Sequence, residues 1–373
     1  MKNRRNMDSK INSSFKINTF AGRDKSLDVA KGIMMASVVA GHISSFPFGE
    51  IFYYYHVAGF FLLSGFFFNY VKYSNSFISF LLSRKKIILQ YCGYSLFFIL
   101  MHNVFISYGI QPEYAINYSY QNYIISIINS ITVPSETMLG AMWFIPVLII
   151  MQIIFYSINK ITNIITKNRT ILPSIIVTLF FFGWWILKNK YIVNDKLLQN
   201  NVPNVQYFTY LPFFYVGYLL KDYGLSFLKN TRIMITSLVV IVLTYITMRP
   251  PIYIYGDVDP FLFITLTFIS IAFVIGFSHH VKVKLLVNLF KYIGENTIHI
   301  LALHFLFFKL ATFILLKINV VPEGSMHVIG TMPDNGFLAT LLYLTCGIFG
   351  PLLLVELYTI IKYRISAFRL HKV

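Results

Sequence analysis

Charged residues are scarce in this chain. They fill 12% of its 373 positions, against about 25% in a soluble domain. With 57% hydrophobic and 18% aromatic residues, the chain cannot cover itself with polar surface. That excludes a water-soluble fold and makes it an integral membrane protein. Acidic residues are scarcer still: 14, against 31 basic ones, for a formal net charge of +17. In a soluble protein such a balance points to nucleic acid. Here the sidedness of the charges explains it better, and no nucleic-acid partner is expected. There are only two cysteines, Cys92 and Cys346, both in apolar stretches. They read as core fillers, not as a disulfide or a metal site. A Gly-rich phosphate loop, a metal-ligand cluster and a Gly-x-Ser-x-Gly elbow are all missing. Their absence removes ATP-driven pumps, zinc enzymes and serine hydrolases of the usual kind. The first twenty-odd residues are polar, so no secretory signal peptide is expected.

What the chain does have is long apolar runs. They fall at roughly 26–46, 51–71, 87–108, 140–159, 171–187, 207–220, 233–248, 260–278, 293–316 and 336–361. The expected fold is all-α, a polytopic transmembrane bundle of about ten helices. A basic arm (1–25) precedes one membrane domain (26–362), and a short tail (363–373) follows it. With ten spans, most basic residues fall on the side of the termini, among them Lys16, Arg23, Lys72, Lys160, Lys229 and Lys362. Acidic residues such as Glu50, Glu113, Glu136 and Glu323 fall opposite. The positive-inside rule then puts both termini in the cytoplasm.

The first run carries the most informative residues. Asp28 and Lys31 stand at its head, and His42 lies deep in it. Eleven residues on an α-helix turn through about 1,100°, roughly 20° past three full turns, so Lys31 and His42 share a face. They lie about 16 Å apart along the axis, half a hydrocarbon core. Ionisable groups at such depth are functional candidates by default. His42 reads either as a polar link to a neighbouring helix or as a general base or acyl carrier. An imidazole titrates near neutrality, which suits proton abstraction from a hydroxyl.

Other polar groups are candidates on similar terms. Tyr53, Tyr54, Tyr55 and His56 open the second run, where an aromatic belt is the plain reading. Arg84, Lys85 and Lys86 precede the third, either as a topology signal and lipid anchor or as a clamp for the phosphates of a nucleotide-bearing cofactor. Lys31 could join that clamp. Trp143 opens the fourth run as a belt residue. Glu136, just before it, is a solvated loop residue unless the loop folds inward to polarise His42. Asn296 or Thr297 reads as an N-cap, and His304 as a mid-membrane hydrogen-bonding residue. Glu356, in the last run, needs a partner or stays neutral.

Several of these pieces resemble one family in order. Leu27-Asp28-Val29-Ala30-Lys31-Gly32 followed by Val38-Val39-Ala40-Gly41-His42 resembles the first-helix signature of the acyltransferase family 3 integral membrane proteins, with the closest look to the fucose 4-O-acetylase-like branch. Similar matches are Tyr55 to Gly65, Met142-Trp143-Phe144-Ile145, Pro212 to Tyr218, and Gly294-Glu295-Asn296-Thr297-Ile298 through His304. The pattern is departed from at Lys31, Ala58, Gln90 and Leu301, and the Arg-x-x-Arg form of the basic loop is not intact.

The resemblance implies transfer of an acetyl group from acetyl-CoA to a sugar hydroxyl of a lipid-linked or surface glycan, such as O-antigen, capsule or exopolysaccharide. The setting it implies is the bacterial inner membrane, among membrane lipids, and no metal is expected. By position, His42 would be catalytic, and Lys31, Arg84, Lys85 and Lys86 would contact the CoA phosphates. Tyr55, His56, Trp143, Asn296, His304 and Glu136 remain as substrate or oxyanion candidates. A transporter or flippase for glycans or lipids fits ten spans with a few intramembrane polar groups equally well on physics alone.

Overall fold

The computed structural model describes residues 24–165, 171–189, 202–252, 258–328, 330–332 and 336–370. Most of the expected N-terminal arm and the last three residues of the tail lie outside them. The described residues are helical, with no strand. The principal helices are α1 (Lys25–Gly41), α2 (His56–Phe66), α3 (Tyr70–Tyr73), α4 (Phe77–Ser83), α5 (Lys85–Ser107), α6 (Tyr120–Asn129), α7 (Phe144–Ile165), α8 (Ile171–Asn189), α9 (Val202–Thr209), α10 (Leu211–Tyr223), α11 (Thr231–Thr247), α12 (Pro260–His280), α13 (Lys284–Glu295), α14 (Thr297–Lys317) and α15 (Gly336–Leu370). Tight 3₁₀ turns at Gly49–Tyr54 and Thr137–Trp143 lead into α2 and α7.

Six of the described helical stretches are long and apolar enough to cross a bilayer: Lys85–Ser107, Thr137–Ile165, Ile171–Asn189, Pro260–His280, Thr297–Lys317 and Gly336–Lys362. Four of the ten expected spans carry shorter helices instead. The first stops at Gly41, and the chain then turns through Pro47 and through Phe48, whose φ is +59°. The second is divided between a 3₁₀ turn and α2. The sixth is divided between α9 and α10, with Pro212 in the first turn of α10. The seventh is α11, 17 residues long. Because the first helix stops at Gly41, His42 stands at the C-terminal end of α1 and not deep within a longer helix.

The N-terminus of α1 is fixed by Asp24, which accepts from the Ser26 backbone N–H at 3.0 Å and from Lys229 Nζ at 2.5 Å. Most of α1 is buried, from Leu27 to Ala40. A helix apolar on all sides belongs in the middle of a bundle. α1 packs against α2, α12, α13 and α14 and contributes to both halves of the core. Leu27, Ala30 and Met34 pack in one half; Met35, Val38 and Val39 pack in the other.

Two helix pairs approach backbone to backbone. A Cβ on Gly32 would lie 1.8 Å from the Phe290 carbonyl oxygen, and one on Gly294 would lie 2.4 Å from that of Asp28. α1 and α13 can therefore meet only through glycine. Gly65 of α2 and Gly217 of α10 do the same, each Cβ falling 1.9 Å from the facing carbonyl. Small residues serve this purpose generally in membrane helices. Cys92 is exposed and does not fill the core, whereas Cys346 is partly buried against it.

Candidate active site

Between the two halves of the core, beside α1, lies a cavity of about 330 Å³. Its polar lining comes from Lys31, His42, Tyr53, His56, Gln206 and Thr297, and its aromatic walls from Phe60, Trp143 and Phe144. The shared face of Lys31 and His42 is thus the wall of one chamber. Lys31 also reaches back one turn to the buried Asp28, with Nζ 2.9 Å from Oδ1, and lies over the Phe67 ring at 5.2 Å. Its side chain keeps 22% exposure, which leaves donors for a second anion.

His42 follows the last residue of α1. Its backbone N–H closes the helix onto Val38 and Val39. Its ring is held by other rings: His304 stacks on it at 5.4 Å, Phe305 packs at 5.0 Å, and Tyr53 meets it edge-on at 6.4 Å. Helix periodicity explains the first of these contacts. Thr297, Leu301 and His304 share one face of α14 at spacings of four and three, so His304 stands one turn beyond the cavity lining. It is wholly buried. Its Nδ1 donates to the Ile300 carbonyl at 2.9 Å, and its Nε2 has no partner among the described residues.

His56 is 2% exposed, and its Nδ1 lies 2.6 Å from the Phe52 carbonyl of the preceding turn. The Tyr53 hydroxyl donates to the Gly41 carbonyl at 2.9 Å. Its ring centroid lies 4.9 Å from that of His56, so one tyrosine ties the turn before α2 to the residue before His42.

Of the remaining candidates, Trp143 lines the cavity. Tyr55 and Asn296 do not. The Tyr55 hydroxyl pairs with Ser37 at 2.8 Å, and the Asn296 amide donates to Tyr292 at 2.9 Å. Arg84 folds over the Phe68 and Phe80 rings, at 5.8 and 5.5 Å, and burial lowers its pKa below the ordinary guanidinium value. Lys85 and Lys86 are exposed at the head of α5, where their neighbour Ile87 does line the cavity.

Glu136 is buried, but its loop folds toward His102 and not toward His42. Its Oε2 lies 2.8 Å from His102 Nδ1 and accepts from Gln111 at 3.2 Å. His102 Nε2 lies 3.1 Å from the Ile116 carbonyl. Gln90 meets His299 of α14 at 3.5 Å, and Tyr94 meets the same ring at 2.6 Å, so these polar groups link α5 to α14. Glu356 is the acceptor for the Tyr292 hydroxyl.

Gln206 was not legible as a site residue. It is 6% exposed, lines the cavity, and has an Oε1 with no partner among the described residues. The only signal for it was a polar side chain at the head of a short apolar run. Ser64 also lines the cavity. No group of His, Cys, Asp and Glu able to hold a metal occurs among the described residues.

The chamber is mostly apolar and has the His42 and His56 imidazoles and the Lys31 ammonium in its wall. A family model described as an acyltransferase domain matches residues 24–356. Among curated proteins and solved structures, none matches the chain significantly.

Proposed function

This chain belongs to the acyltransferase family 3 of integral membrane proteins, and we propose that it moves an acetyl group from acetyl-CoA to a sugar hydroxyl of a lipid-linked or surface glycan. The observation that carries the reading is that Lys31 and His42 line one cavity. A volume near 330 Å³ is at the small end for ligand pockets, which run from about 300 to 1,000 Å³. It suits the thioester end of the donor and part of a pantetheine arm, while the adenine nucleotide stays outside.

Lys31, with the exposed Lys85 and Lys86, supplies charge for the phosphates at the outer end of that path. The positive-inside rule puts this end, and both chain termini, in the cytoplasm. Ten crossings, counting the four short helices, keep the termini on one side of a bacterial inner membrane. At the inner end His42 meets the thioester carbonyl. The acceptor oxygen replaces sulfur on that carbonyl. The hydroxyl proton leaves through an imidazole and ends on the CoA thiol, so the products are an acetyl ester and free CoA. Tyr53 and Trp143 offer faces for sugar rings.

The test is acetyl transfer by the purified full chain. Its surface or lipid-linked glycan should gain the mass of one acetyl group when acetyl-CoA is supplied, and CoA should stabilise the protein against heating. The rival reading, a glycan or lipid transporter, requires neither.

A further inference from the structure

We propose that His56 is a second catalytic residue, the base that takes the proton of the acceptor hydroxyl, while His42 carries the acetyl group. The inference rests on the acyl-transfer reading above and divides its chemistry between two side chains.

The division follows from what each ring nitrogen faces. A carbonyl oxygen only accepts, so the 2.6 Å contact from His56 Nδ1 to Phe52 puts a proton on Nδ1. In the neutral ring Nε2 is then a bare lone pair. That excludes neutral His56 as an oxyanion donor and makes it an acceptor of protons. A histidine whose Nδ1–H is held by a carbonyl has its tautomer and ring orientation fixed. His56 is also 2% exposed yet lines the cavity, so it borders the reacting space.

His42 is built differently. Stacking and edge contacts orient its ring, from His304, Phe305 and Tyr53. Glu136, the carboxylate considered as a partner for His42, is committed to His102. An imidazole that lines the cavity, with no carboxylate contact among the described residues, suits nucleophilic attack. Tyr53 sets the spacing of the two rings, since it packs on both and is itself tied to Gly41.

The steps balance. A His42 nitrogen attacks the thioester carbonyl and the C–S bond breaks. The CoA thiolate takes the proton from the other His42 nitrogen, leaving neutral N-acetylimidazole and CoA thiol. The acceptor oxygen then attacks the acetyl carbonyl as its proton passes to His56 Nε2. The C–N bond breaks, the proton returns to the departing His42 imidazole, and both rings end neutral.

The test uses the purified full chain with radiolabelled acetyl-CoA, and His56→Asn as the variant. Asparagine can keep a donor to the Phe52 carbonyl while lacking Nε2. Wild type without acceptor should release CoA in a stoichiometric burst and retain label on His42. His56→Asn should keep that burst and lose steady-state glycan acetylation by about 100-fold or more. The inference is overturned if His56→Asn turns over within about twofold of wild type, if it folds but loses the burst as well, or if wild type acetylates without acetyl-His42. If wild type transfers no acetyl group at all, the underlying acyl-transfer reading fails instead. Should the variant not fold, ¹⁵N NMR of histidine-labelled wild type decides. A protonated Nδ1 and bare Nε2 on His56 support the assignment, and a protonated Nε2 in the neutral ring refutes it.

Discussion

The rings of His42 and His304 lie face to face, with centroids 5.4 Å apart and planes inclined by 27°. His304 contributes a stacking surface and nothing that donates, because its Nδ1 proton is committed to Ile300 and its Nε2 is a buried acceptor without a partner among the described residues. Leaving such a group unsatisfied costs about 1–3 kcal/mol.

His304 is therefore a positioning residue for His42. Removing its ring in His304→Ala should lower kcat about 10- to 100-fold by letting His42 swing from its productive orientation. His304→Phe, which keeps a stacking face, should recover most of that loss and raise the melting temperature. Equal kcat values for the two variants would show that stacking does not position His42.

Lys31 and the loop before α5 separate by exposure and partner. Losing a hydrogen bond from a charged group to phosphate is worth about 1.5–3 kcal/mol, so Lys31→Gln should raise the KM for acetyl-CoA by roughly tenfold or more. Lys85→Gln and Lys86→Gln act from exposed positions, and their smaller effects should fade at high salt. Arg84→Gln should mainly lower the yield of folded protein, because its guanidinium packs on Phe68 and Phe80. Steady-state kinetics at two ionic strengths, with melting curves, distinguishes the three behaviours.

The glycine crossings predict where stability is concentrated. Gly65→Val or Gly217→Val drives a side chain into backbone 1.9 Å away, and each should destabilise by at least the roughly 1–3 kcal/mol of ordinary overpacking. Gly93 of α5 has nothing within 4 Å of an added Cβ. Gly93→Ala should be neutral or stabilising by about 0.5–1 kcal/mol through helix propensity. Thermal melts in detergent read both; a wild-type melting temperature for Gly65→Val would contradict the packing described.

Glu136 belongs to the fold more than to the chemistry. Glu136→Gln removes the carboxylate from a buried hydrogen bond with His102, and a buried polar group that loses its partner costs about 1–3 kcal/mol. The variant should melt at a lower temperature but, where folded, keep kcat within about threefold of wild type. A collapse of kcat with an unchanged melting temperature would return Glu136 to the catalytic centre.

The residues legible in the sequence were those whose meaning is local. Lys31 lies on α1 and His42 caps its end, and helical geometry put them on one face before any tertiary contact was known. The motifs from Leu27 to His304 likewise pointed to the family whose model matches residues 24–356. What was not legible depends on contacts distant in sequence. Glu136 finds His102 across 34 positions, and Gln206 reaches the cavity from a helix of eight residues. Hydropathy also overstated lengths. The first run stays apolar through Phe46, but its helix stops at Gly41, which puts His42 at a helix end with its ring in the cavity.

Acetyl transfer by membranes carrying wild type or His42→Ala, supplied with acetyl-CoA and the glycan of the same cells, tests the central claim most directly. The account predicts an acetyl-CoA-dependent gain of ester on the glycan with wild type. It predicts none above background with His42→Ala, although the variant inserts, melts near the wild-type temperature and still binds CoA. A folded His42→Ala protein that acetylates the glycan at near the wild-type rate would contradict it.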